Sequence, residues 1–182
     1  MKFDIHKLVG FTPIQEEKFR AILATGSKVL NDDYFKQKVI SFTWTEYYRK
    51  WFRKYSIFHN TFNWNNGLSN QEIYDKFMSG ADKLNPEADG DLDLFLELYF
   101  ANNSVIGYTY PTIVTTYANK KYFLSNLESM SGNAAIFANI IHEYLHKVGF
   151  DHSFYNNATR RYTVPYAMGD IAEESYKHFL TR

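Results

Sequence analysis

Residues 133–152 read NAAIFANIIHEYLHKVGFDH. Ala134, Ile136, Phe137, Ile140, Ile141, Tyr144, Leu145 and Val148 make this stretch apolar around most of a helical circumference, the pattern of a helix buried inside a core. His142, Glu143 and His146 interrupt it. Residues four apart on a helix project from one face, about one turn apart, so His142 and His146 can bite a single metal ion. Two imidazoles and a carboxylate in apolar surroundings need a compensating partner, and a metal supplies one.

Gly149 and His152 extend the pattern to HExxHxxGxxH. His152 cannot reach the same metal if the helix simply continues. The chain must turn sharply first, and Gly149 can adopt positive φ without a Cβ clash. Three histidines leave a fourth position open for water, which is the catalytic rather than the structural arrangement for zinc. Glu143 stands beside a ligand without being one, placed to take a proton from the attacking water and to pass it to a leaving group. Five fixed positions arise by chance in a chain of this length with a probability on the order of 10⁻⁵.

The run resembles the metzincin clan of zinc metallopeptidases. The clan carries a methionine turn beneath the metal. Tyr162-Thr163-Val164-Pro165-Tyr166-Ala167-Met168-Gly169-Asp170 offers a counterpart, with Met168 sixteen residues after His152 and turn residues Pro165 and Gly169 around it. Ser153, directly after the third histidine, is similar to the matrixin choice. Asp170 stands where some families of the clan place an oxyanion-supporting tyrosine, so that role does not carry over; Tyr166, two residues before Met168, reads either as a substitute for it or as a buried aromatic in the turn. The resemblance implies an α/β (α+β) fold: a twisted mixed sheet with packed helices, the active-site helix beneath it, and a small C-terminal subdomain with the methionine turn and a terminal helix. One metallopeptidase domain is expected over 1–182, divided into 1–152 and 153–182.

The rest of the chain fits that layout. Thr12-Pro13-Ile14-Gln15 is a capping box opening a helix to about residue 30, and Ser69-Asn70-Gln71-Glu72 opens another to about Leu84. Val39 to Trp44 reads as a strand. Leu92, Leu94, Leu96 and Leu98 alternate with Asp93, Phe95, Glu97 and Tyr99, a half-buried strand. Val105–Tyr110 and Ile113–Tyr117 are further strand candidates around Pro111, the second suiting an edge over the cleft, where the clan pairs with extended substrate. Asp170 and Glu173 form a capping pattern for a last helix to about Phe179. The segment YYRKWFRKYSIFHNTFNW (47–64) has two readings. Helix and strand with aromatics inside and basic groups outside is preferred over a membrane or polyanion surface.

The 182 residues include 45% hydrophobic and 19% aromatic side chains, enough for one real core. Twenty basic and twenty acidic groups balance, and no basic run of five occurs, so nucleic acid is not an expected partner. The absence of cysteine excludes disulfides, thiolate ligands and a cysteine-switch propeptide. The acidic loop Glu87–Asp93 invites a structural Ca²⁺, which the clan often binds, yet it lacks the spacing of the helix–loop–helix calcium motif and reads as a solvated loop. Asp151 reads as a surface or supporting acid, and His6, His59 and His178 as ordinary histidines. No stretch could span a membrane, and MKFDIHKLVGFTP has no apolar core of signal-peptide length. The chain as written is expected in the cytoplasm, with secretion open where a leader has been removed, and a monomer by default.

The expected function is that of a zinc endopeptidase with one catalytic Zn²⁺ on His142, His146 and His152, Glu143 as general base and a peptide or protein as substrate. The alternatives are a catalytically silent zinc-binding interaction module of the same fold and a metal-dependent hydrolase of a non-peptide amide.

Overall fold

The alternation in residues 91–99 builds the centre of the molecule. In the computed structural model, which describes residues 1–182, strand β4 (Asp91–Tyr99) buries Leu92, Leu94, Leu96 and Leu98 on one face. Each buried leucine contributes about 1.5–3 kcal/mol of apolar transfer. Taking the elements in chain order, β1 is Lys2–Val9, α1 Pro13–Leu30, α2 Asp33–Ile40, β2 Trp44–Lys50, β3 Arg53–His59 and α3 Asn70–Met78. After β4 come β5 Gly107–Tyr108, β6 Thr115–Asn119, α4 Lys120–Asn126, α5 Met130–Val148 and α6 Val164–Thr181. The fold is thus mixed α/β with six helices. Its main sheet has the order β1-β4-β6-β5, with β1, β4 and β6 parallel and β5 antiparallel at the edge.

Strand β1 has no clean sequence alternation because its register against β4 slips between Ile5 and Lys7. A bulge there breaks the period of two that would otherwise reveal the strand. The expected edge strand changes identity: residues 115–119 lie inside the sheet, and the edge is β5, from the first of the two candidate segments. Pro111 sits in the turn between them, where it costs no ladder hydrogen bond.

Both capping boxes form, at Thr12/Gln15 and Ser69/Glu72. Helix α3 stops at Met78 rather than Leu84, because the chain turns at Gly80 with φ +80°. The Tyr144 hydroxyl of α5 donates to the Gly80 carbonyl at 2.6 Å and holds that turn against the core. The strand expected over residues 39–44 is instead the end of α2 and a short link to β2. Asp32 caps α2 through the Tyr34 amide, and Phe35 and Val39, four apart, bury together. Burial of that pair outweighs the local β-propensity.

The segment 47–64 is also corrected. Residues 47–59 complete a β2–β3 hairpin, with no helix, whose aromatics Tyr47, Tyr48, Trp51, Phe52, Tyr55 and Phe58 are exposed, while Phe62 beyond it stacks on Phe42 in the core as expected. At the C-terminus, α6 begins at Val164 with Pro165 in its first turn, so Met168 and Gly169 are helical and no methionine turn forms. Asp170 therefore lies inside α6 and does not cap it. Val164, Ala167, Met168, Ile171, Ala172 and Tyr176 share one core with α1, α5 and β4. The expected boundary at 152 marks the third histidine and not a gap between two cores. No helix is long and apolar enough to cross a membrane.

Candidate metal centre

Helix α5 carries the first two histidines through the core. Ser129 caps it by accepting from the Gly132 amide, and Gly26 of α1 leaves room for the Phe137 ring. The helix ends at Gly149 with φ +105°, and the Gly149 amide closes on the Leu145 and His146 carbonyls. Phe150 then plunges into the core, its amide donating to Leu145 O at 3.0 Å. This left-handed cap reverses the chain and returns His152 to the helix face it has just left.

One ring nitrogen from each of His142, His146 and His152 lies within 4.8 Å of the others. His142 Nε2 and His152 Nε2 are 3.3 Å apart. Four ligands at about 2.0–2.1 Å from a tetrahedral zinc are separated by about 3.3 Å, so this spacing is that of a tetrahedral edge. Each ring is anchored on the side away from its neighbours. His146 Nδ1 meets Phe150 O at 2.9 Å, His152 Nδ1 meets Ser153 O at 3.2 Å, and His142 is hydrogen-bonded to the backbone of Pro165. A carbonyl accepts, so in His146 and His152 Nδ1 carries the proton and Nε2 keeps its lone pair. Burial, with repulsion among the rings, holds His142 well below the ordinary imidazole pKa. His146 and His152 are also lowered, chiefly by burial. Three neutral imidazoles facing one another are a ready ligand set, and their converging lone pairs repel unless a cation lies between them. The donors thus fit a zinc ion with one position left free.

Glu143, next to His142 on α5, is buried, 4% exposed. Burial pushes its carboxyl up to about 8, against hydrogen bonds from the Thr109 backbone and the Asn139 side chain that favour the ionised form. Gly107 of β5 passes close by: a Cβ there would stand 2.8 Å from Asn139 Oδ1 and 3.4 Å from Glu143 Oε1. The edge strand therefore borders the carboxylate. Across the site Tyr166 of α6 places its ring 4.5 Å from His142 and 4.8 Å from His152. The Arg160 guanidinium lies over that ring at 4.7 Å and hydrogen-bonds the Tyr166 hydroxyl.

The three expected ligands come together, Tyr166 packs on two of them, and Glu143 directly follows His142 on α5. Met168 is wholly buried in the α6 part of the core rather than in a turn. Asp151 is a surface acid, as expected. It caps the His152 amide at 2.7 Å and lies 3.9 Å from His146 Nδ1. In the acidic loop, Asp89 accepts from the Asp91 amide, Asp91 pairs with Lys2, and Asp93 accepts from His6 and Asn85. Asp4, His6 and Asp93 are near one another, but His6 and Asn85 already occupy Asp93. His59 stacks on Trp44 and His178 on Tyr34. Sequence reading missed Asn139, Thr109 and Arg160. Asn139 was within reach, since it lies one helical turn before Glu143 on the same face. Thr109 acts through its backbone and Arg160 through chain reversal, and neither leaves a sequence signal.

No protein-family model matches this chain, and no curated protein matches it significantly.

Proposed function

We propose that the chain is a zinc-dependent endopeptidase with a metzincin-like ligand run but no methionine turn, with His142, His146 and His152 as ligands and Glu143 as general base. The observation that carries this reading is the convergence of three backbone-anchored imidazoles beside a buried, hydrogen-bonded glutamate. When bound, zinc would polarise a scissile carbonyl and bring the pKa of a water toward neutrality. Glu143, whose raised carboxyl pKa falls when a cation occupies the neighbouring site, then accepts in its ionised form the proton of the attacking water and returns it to the leaving amine. Thr109 and Asn139 hold its carboxylate in one orientation during both transfers. Strand β5 has a free edge beside Glu143, and an extended peptide can add to it by main-chain hydrogen bonds. Tyr166 and Arg160 offer a hydroxyl and a fixed positive charge on the opposite side, where negative charge develops on the carbonyl oxygen.

Cleavage of a quenched-fluorescent peptide library tests the reading. Expected is cleavage that a chelator abolishes and zinc restores, and that Glu143→Ala removes while zinc stays bound. Stoichiometric zinc with no cleavage would transfer the chain to the silent-module reading. Zinc-dependent hydrolysis confined to non-peptide amides would transfer it to the other alternative.

A further inference from the structure

The β2–β3 hairpin is the largest feature that the metal centre leaves unexplained. Its seven paired residues per strand carry it about 20 Å from Trp44 at the base to the turn. Trp44 is fixed there by stacking on His59 and Tyr162, so the arm has a rigid root. The tip is built against ordinary hairpin chemistry in two respects. Its central residues are Trp51 and Phe52, both at positive φ (50° and 62°), where such turns favour Asn-Gly. Bulky side chains in that region are strained. The two rings are 84% and 95% exposed. Directly behind them Arg49 faces Lys54 and Lys50 faces Arg53, two like-charge cross-strand pairs. Like charges directly opposite destabilise a ladder. None of these four cations has a carboxylate within salt-bridge distance, and the arm's one acid, Glu46, lies back toward the base near His59.

A neutral chain that gathers four unpaired cations behind an exposed Trp-Phe apex needs an anionic, partly apolar surface to make the arrangement favourable. We infer that this hairpin is an insertion arm for the interface of an anionic lipid bilayer. Trp51 and Phe52 enter the headgroup and acyl boundary, the level at which tryptophan is enriched. Arg49, Lys50, Arg53 and Lys54 stay at the level of the phosphates, their stems lying along apolar surface. Tyr47 and Phe58, on the face shared with Arg49 and Lys54, lie nearer the base and widen the contact. An axial apex suits a bilayer better than single-stranded nucleic acid, which stacks its bases along a charged groove. The inference does not depend on the peptidase reading.

Co-sedimentation of the full chain with vesicles of phosphatidylcholine alone, and with about one third phosphatidylserine, tests it. Expected is binding to the anionic vesicles at least about tenfold tighter, weakened by salt, with a blue shift of tryptophan fluorescence. The variant Trp51→Asn with Phe52→Gly installs the favoured turn dipeptide. It should keep or raise the Tm and lose at least about tenfold in vesicle binding. Replacing Arg49, Lys50, Arg53 and Lys54 together by Gln should abolish the preference for anionic vesicles. No partition onto anionic vesicles, equal binding to neutral ones, or binding unchanged in both variants would overturn the inference. Capture of a single-stranded oligonucleotide without vesicle binding would overturn it as well.

Discussion

His142 Nε2 and His152 Nε2 stand 3.3 Å apart although ten residues separate them, and the reversal at Gly149 is what closes that distance. The metal-centre proposal rests on this closure, so the residues that produce it give the sharpest tests.

Removing His152 should disable the site without unfolding the chain, because the ring is half-buried and lies outside α5. Zinc affinity of His152→Ala, measured against a chromophoric chelator, should fall at least about 100-fold. The Tm of the chelated variant should stay within a few degrees of the chelated parent.

Gly149→Ala should weaken both stability and metal binding. At φ +105° any Cβ is strained, and here it would also meet Lys83 Cε at 2.9 Å. A loss of about 1–2 kcal/mol in urea denaturation is expected, together with weaker zinc binding. Unchanged zinc affinity in a destabilised protein would separate the turn from the site.

Gly107→Ala should act on turnover rather than on the metal. The added Cβ would stand 2.8 Å from Asn139 Oδ1, 3.0 Å from the Tyr117 carbonyl and 3.4 Å from Glu143 Oε1, so it presses on the carboxylate and its neighbour. Zinc content should stay at wild type while kcat falls by about tenfold or more.

Tyr166→Phe removes the hydroxyl but leaves the ring against His142 and His152. If that hydroxyl helps hold developing oxyanion charge, kcat should fall about 10- to 100-fold with KM and zinc content unchanged. A change in KM alone would assign Tyr166 to substrate binding.

Away from the site, Lys38 and Tyr34 of α2 both donate to Glu174 of α6 at 2.8 Å. The hydrogen bond from Lys38, then that from Tyr34, holds the Glu174 carboxyl below its ordinary value. A depressed folded-state pKa stabilises the protein above the unfolded value, and that stability is lost as pH falls through the folded one. Both partners are largely exposed, so the effect is screened. Urea denaturation of Glu174→Gln should show a deficit of about 0.5 kcal/mol at neutral pH. The deficit should vanish once the carboxylates are protonated.

The most legible signals in the chain are local. The Thr12 and Ser69 capping boxes, the Leu92–Leu98 alternation and the histidine spacing each arise within one or two turns of chain, and the structure contains all of them. Elsewhere tertiary contacts override the local pattern. Strand β1 was hidden by its bulge, α2 by the β-rich residues at its end, and the helical setting of Met168 by the turn-like Pro165 and Gly169. Pro165 in a first helical turn needs no partner for its missing N–H, and a Cβ at Gly169 would stand 3.3 Å from the Ala138 carbonyl and 3.6 Å from His142 Cβ, tight against α5. The outward hairpin defied the expectation that aromatics seek the core.

X-ray absorption at the zinc edge, on protein loaded with one equivalent of zinc, probes the coordination itself. Expected are three imidazole nitrogens and one or two oxygens at about 2.0–2.1 Å, with loss of one imidazole in His152→Ala. Failure of the chain to retain zinc, or a zinc whose shell is unchanged by His152→Ala, would contradict a catalytic metal held by His142, His146 and His152.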